Sequence, residues 1–129
     1  MLNLFNSDNM LIEEIADEVR VEFELRRVDL DLLSLLYREF AVVTDMYNFL
    51  KAAQKQFPIA NSGLAGVYLQ SILGGELVGG YYKQIPHTFL FLDEKLVVDI
   101  TADQFGGPRV YVGPLTYPYT TRREKIGTV

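Results

Sequence analysis

The chain has no cysteine, no tryptophan and a single histidine among its 129 residues. Without cysteine there are no disulfides, no thiolate metal sites and no thiol redox chemistry. With one histidine, further metal ligands would have to be carboxylates, so neither a metal nor a cofactor is expected. No apolar run approaches the ~18 residues of a membrane span. The opening MLNLFNSDNML has neither the basic start nor the small-residue cleavage site of a signal peptide. Positive charge is also scarce: twelve Lys and Arg stand against seventeen Asp and Glu, for a net charge of −5. The basic residues are scattered apart from Arg26–Arg27 and the tail TTRREK, so no stripe suited to nucleic acid is readable. The tail cluster, Arg122, Arg123 and Lys125, reads as a solvated terminus. GGELVGG lacks the Lys and Ser/Thr of a phosphate-binding loop. These absences favour a cytoplasmic protein without nucleic-acid or membrane partners.

What is present is an ordinary globular composition, 49% apolar with eight Phe and eight Tyr. One domain of this length buries roughly two-thirds of its unfolded-chain surface. The pattern changes near Pro58. Before it, Met10, Leu11, Ile15, Val19, Phe23 and Leu25 recur at helical spacing from Asn9 to about Arg27, with Asp8 or Asn9 as cap. A second helical stretch runs from Val28 to Phe40, capped by Asp29, with Leu32, Leu33, Leu35 and Leu36 as its stripe. A third covers Val42–Gln56; the pattern does not say whether it is continuous with the second. After Pro58, Asn61 or Ser62 can cap a helix that Gly74–Gly75 closes. Strands are expected over Glu76–Lys83, His87–Leu92, Leu96–Ile100 and Arg109–Val112. The fold class is α+β: N-terminal helices (1–57) packed on a small antiparallel sheet (core 58–115), with a tail over 116–129.

The central hairpin carries the chemistry. If Asp93–Glu94–Lys95 form an odd-numbered loop, His87, Phe89 and Phe91 share a sheet face with Val97, Asp99 and Thr101. His87 and Asp99 are then opposite or diagonal, within hydrogen-bonding reach. A two-residue loop would separate them. The strands are apolar on both faces, so a buried Asp99 needs a partner, and His87 is the obvious one. A carboxylate on one imidazole nitrogen fixes the tautomer and leaves the other nitrogen to accept a proton from a nucleophile. A nucleophile at a helix N-terminus would gain from the helix dipole and free N–H groups. Ser62, in NSGLAG, stands at such a point. A capped helix and a strand-edge histidine explain the same residues without catalysis.

The order of these pieces resembles small papain-fold proteins: a helix opening C-G-x-A, a strand opening with His, and a strand ending DITADQF before PRVYV. The resemblance spans roughly Phe57 to Val112 and points to the papain-like and transglutaminase-like superfamily, which includes cysteine peptidases and bacterial toxin deamidases using a Cys-His-Asp triad. It implies a papain-like core, with His87 as general base, Asp99 as its orienting partner and Ser62 at the nucleophile position. The departure is S-G-L-A in place of C-G-x-A. Serine is far less acidic than a thiol, so such a site is expected to be inactive or weakened. An engineered replacement, a natural loss and a working serine variant all fit. Gln56, six residues before Ser62, has the spacing of an oxyanion-hole glutamine, and Gln104 is a similar candidate for substrate contact. Asp103 could orient His87 instead of Asp99, but its place before Gly106–Gly107–Pro108 suggests a cap or turn. Tyr81, Tyr82, Tyr111, Tyr117 and Tyr119 could line a peptide groove or be ordinary strand aromatics. Gly79–Gly80 suggests a bulge or a close backbone approach. The implied activity is amide-directed hydrolysis or acyl transfer on a protein or peptide. The alternative is a catalytically silent binding module. A secreted effector role follows only from the likeness to toxin deamidases.

Overall fold

A computed structural model of the chain describes residues 4–122. Among these residues four helices precede a five-stranded antiparallel sheet, an α+β arrangement as expected. Helix α1 (Leu4–Glu24) begins well before Asp8 and Asn9, which lie inside it rather than at its cap. Its buried face is Ala16, Val19, Arg20 and Phe23, while Leu11, and Leu25 just past its end, are exposed. Helix α2 (Leu30–Arg38) is capped by Asp29, whose carboxylate accepts from Asp31 N and Leu32 N. Only Leu33 of its leucines is fully buried; Leu32 and Leu35 face outward. Helix α3 (Met46–Gln56) is separate from α2, starting at Asp45, which accepts from Asn48 N. Helix α4 (Ser62–Leu73) ends at Gly74, whose φ of 76° is left-handed space that favours glycine.

The sheet comprises β1 (Glu76–Tyr82), β2 (Ile85–Leu92), β3 (Leu96–Asp99), β4 (Tyr111–Pro114) and β5 (Tyr119–Thr120), in the order β4-β3-β2-β1-β5. Strand β2 starts two residues earlier than expected. A two-residue turn at Lys83–Gln84, both at positive φ, pairs Tyr82 with Ile85 and draws Pro86 into the strand. β4 is displaced toward Pro114, because a 3₁₀ turn (Ala102–Phe105) and Gly106–Gly107 follow β3. β5 corrects the reading of 116–129 as a tail: Tyr119 pairs with Tyr82 and is buried in the sheet. A two-residue strand has no periodicity to read, and only its long-range pairing defines it. Arg123 and Lys125 lie outside the described residues.

The sheet separates two apolar clusters. Leu90, Leu92, Val98 and Ile100 pack with Phe23, Leu33, Leu50, Leu64 and Leu69 from the helices. The other face gathers Tyr82, Phe89, Val97, Ala102 and Tyr119, with Phe105 and Tyr111 against them. This second cluster surrounds the candidate site.

Candidate active site

The β2–β3 register pairs Leu92 with Leu96, Phe91 with Val97 and Leu90 with Val98, leaving the three-residue connection Asp93–Lys95. Continuing that register sets Asp99 beside Phe89 and puts His87 on its diagonal, on one face of the sheet. His87 Nε2 lies 2.7 Å from Asp99 Oδ2, and both side chains are buried. Asp99 also accepts from Thr101 N (3.0 Å) and Thr101 Oγ1 (3.1 Å) on Oδ1, and from Tyr119 Oη (2.7 Å) on Oδ2. The carboxylate thus receives four hydrogen bonds, which hold a buried negative charge without a contacting Lys or Arg. Burial first, and then the Asp99 charge, push the Tyr119 phenol far up, so this hydroxyl stays protonated and donates. Burial and the same charge raise Tyr82 as well.

With a carboxylate on Nε2, the imidazole proton belongs there and Nδ1 carries the lone pair. His87 Nδ1 is buried and has no hydrogen-bond partner among the described residues. The ring is enclosed by aromatics: Phe105 meets it edge-on at 5.2 Å, Tyr82 at 6.1 Å, and Phe89 lies parallel at 6.4 Å. His87's side chain is 1% exposed, so bulk water is kept from the pair.

Ser62 opens α4 as its first residue rather than as its cap. The cap position belongs to Asn61, whose buried amide makes no capping bond but donates to Ala53 O and Ile59 O, tying α4's start to the end of α3. Ser62 Oγ accepts from Thr88 N at 3.4 Å, the amide next along the chain from His87. Ser62 and His87 both line an open cleft of 240 Å³ with Gly79, Gly80, Tyr81, Pro86 and Thr88. No hydrogen bond joins Ser62 to His87.

The two glutamines lie apart from this cleft. Gln56 is exposed at the end of α3. Gln104 is a bridge: its Nε2 donates to Thr101 O and its Oε1 accepts from Ala60 N, linking the 3₁₀ turn to the segment before Ser62. Asp103 neither orients His87 nor caps a helix. Its carboxylate takes two 2.8 Å hydrogen bonds from Arg20, a buried residue of α1 that also donates to Ile100 O at 2.8 Å. Gly79–Gly80 is not a bulge, since β1 and β2 pair without interruption from Glu76↔Phe91 to Tyr82↔Ile85. Gly80 instead permits a close approach within the fold, because a Cβ there would sit 2.5 Å from Thr120 O. Of the five tyrosines, Tyr82 and Tyr119 are core, Tyr111 stacks on Tyr119 at 4.7 Å, Tyr81 lines the cleft and Tyr117 is exposed. Among the described residues no three His, Asp or Glu side chains converge as metal ligands, and no helix is long and apolar enough to cross a membrane.

Sequence reasoning missed Arg20, and it named Thr101 as sharing the face of His87 and Tyr119 as a groove or strand aromatic without seeing that either bonds Asp99. Arg20 had a signal, since it falls on the buried stripe of Ala16, Val19 and Phe23. Thr101 is two residues beyond Asp99, a local spacing at which a hydroxyl meets a carboxylate. Tyr119 had none. The chain matches no protein-family profile, no curated protein and no solved structure.

Proposed function

We propose that the chain is an amide-directed hydrolase or acyltransferase of papain-like type, acting on a protein or peptide, with Ser62 at the nucleophile position. The observation that carries this reading is the buried His87–Asp99 hydrogen bond, whose imidazole keeps an unpartnered acceptor nitrogen. His87 would take the Ser62 proton at Nδ1 as Oγ attacks a carbonyl carbon, and return it to the leaving group. Asp99 would stabilise the imidazolium formed between those events. Because Ser62 is in the first turn of α4, the unpaired amides and positive end of that helix would be available to a developing oxyanion. A hydroxyl in this role is a weaker nucleophile than a thiolate, so low turnover is expected. The cytoplasm is taken as the working compartment, in keeping with a chain free of cysteine.

A second reading, a silent module that binds a protein, draws on one observation. Ser62 Oγ is engaged by Thr88 N, and no hydrogen bond links it to the imidazole. Alkylation of a Ser62→Cys variant across pH, with His87→Ala in the same background, separates the two. A thiol reacting rapidly below pH ~7, and slowing without His87, supports the enzyme. A thiol titrating near ~8.5 and indifferent to His87 leaves the binding module.

A further inference from the structure

We infer that Tyr119 is a positioning residue of the site, one that tunes how strongly Asp99 holds the His87 proton. This rests on the reading above, in which His87 is the base. Tyr119 Oη and His87 Nε2 share one carboxylate oxygen, each 2.7 Å from Asp99 Oδ2. Two donors on one oxygen compete for its electron density. The phenol therefore draws charge from the atom that would otherwise stabilise an imidazolium. A neutral imidazole with a free Nδ1 lone pair is what a general base needs at rest, and Tyr119 biases the pair toward that state.

The structure builds the phenol into place from several sides. Tyr119 is 2% exposed, pairs with Tyr82 across β1–β5, and stacks against Tyr111 at 4.7 Å. Its ring tilts against Phe89 at 5.3 Å, and the β2–β3 register, continued past Leu90↔Val98, sets Phe89 beside Asp99. Thr101 supplies both of its hydrogen bonds to Oδ1, so among the described residues Tyr119 is the one donor that shares Oδ2 with the imidazole.

The groups facing the His87–Asp99 pair are few. Tyr82 comes from β1, Tyr111 from β4 and Tyr119 from β5, while the 3₁₀ turn presents Phe105, its Asp103 being taken by Arg20. Lys83 Nζ lies 5.9 Å from the far-reaching Tyr82 ring and does not contact either member of the pair. Among the described residues only Tyr119 places a phenol hydroxyl on Asp99.

The test uses the fact that the chain has one histidine, so the imidazole gives an unambiguous NMR signal without assignment. In full-length Tyr119→Phe, the imidazole titrates at a pH higher than in the parent by roughly half a unit or more, because Asp99 loses a competing donor. Thr101→Val, which removes a hydroxyl from the other oxygen, gives a smaller shift in the same direction. An unchanged or lowered midpoint in a folded Tyr119→Phe protein overturns the inference. A second measurement needs no variant: the Tyr119 hydroxyl proton, sheltered by its hydrogen bond, moves in frequency as the imidazole titrates. Absence of that coupling also overturns it. Both readouts follow His87 itself, so failure of thiol activation in Ser62→Cys would count against the enzyme and leave this result standing.

Discussion

Replacing Arg20 with methionine removes the guanidinium that joins α1 to the segment following Asp99. It donates to both oxygens of Asp103 at 2.8 Å, to Ile100 O at 2.8 Å and to Glu24 at 3.2 Å, and it lies 4.8 Å from the centre of the Phe57 ring. Methionine retains much of the stem packing, so the loss is mainly polar. Hydrogen bonds to charged groups contribute about 1.5–3 kcal/mol net, and a buried carbonyl left unpaired costs about 1–3 kcal/mol. Asp103 is 28% exposed and recovers water, which discounts its share. The expected cost is about 3 kcal/mol, or roughly 10 °C in Tm for a domain of this size. Removing the other partner reverses the exposure argument. Asp103→Ala leaves a cation that is 5% exposed, with Glu24 as its one remaining carboxylate, at a cost of about 3–5 kcal/mol. The double variant should therefore lose less than the sum of the singles by at least about 1 kcal/mol. Urea denaturation followed by circular dichroism measures all three. A cost below about 1 kcal/mol for Arg20→Met, or an additive cycle, would refute the argument that this pair anchors the turn.

Two neighbouring glycines should respond differently to the same change. Gly80→Ala places a methyl 2.5 Å from Thr120 O and 3.1 Å from the Phe89 ring, so β5 must move; a loss of about 2–3 kcal/mol is expected in a thermal melt. Gly79→Ala meets nothing within 4 Å and should stay within about 0.5 kcal/mol of the parent, so equal losses would contradict the packing. Acid stability depends on Glu24. Its carboxyl is held below the ordinary 4.5 chiefly by the Arg109 hydrogen bond, so the folded chain binds fewer protons there than the unfolded one. That contribution is present above pH 4.5 and is lost as pH falls through the lowered folded value. A Glu24→Gln variant should show a shallower acid limb in stability against pH; an unchanged limb would remove Glu24 from the account.

Much of the site could be read locally. The period-two alternation of β2 and β3 and the three-residue Asp93–Lys95 connection were enough to put His87 and Asp99 on one face, and the structure keeps that register. Ser62 at the start of a helix was equally legible from Pro58, Asn61 and the apolar stripe that follows. What failed were the assignments that depended on which surface an element would meet. Leu32 and Leu35 read as core but face outward, because α2 is covered on one side only. Asp103 does sit in a turn, as its place before Gly106–Gly107–Pro108 suggested, but nothing local showed that its carboxylate would bind Arg20, more than eighty residues away in the chain.

The amino-acid sequence by itself determined the helix-then-sheet order, the caps at Asp29 and Gly74 and the spacing that lets an imidazole meet a carboxylate. These follow from short-range backbone and side-chain periodicity. Only the tertiary structure decided what completes the Asp99 carboxylate's shell and what braces the turn that follows it. Tyr119 arrives on a two-residue strand paired with β1, twenty residues beyond Asp99. Arg20 arrives from the first helix, eighty residues before the Ile100 carbonyl it holds. A buried charge draws donors from wherever the packed chain places them, and a linear pattern does not record that distance.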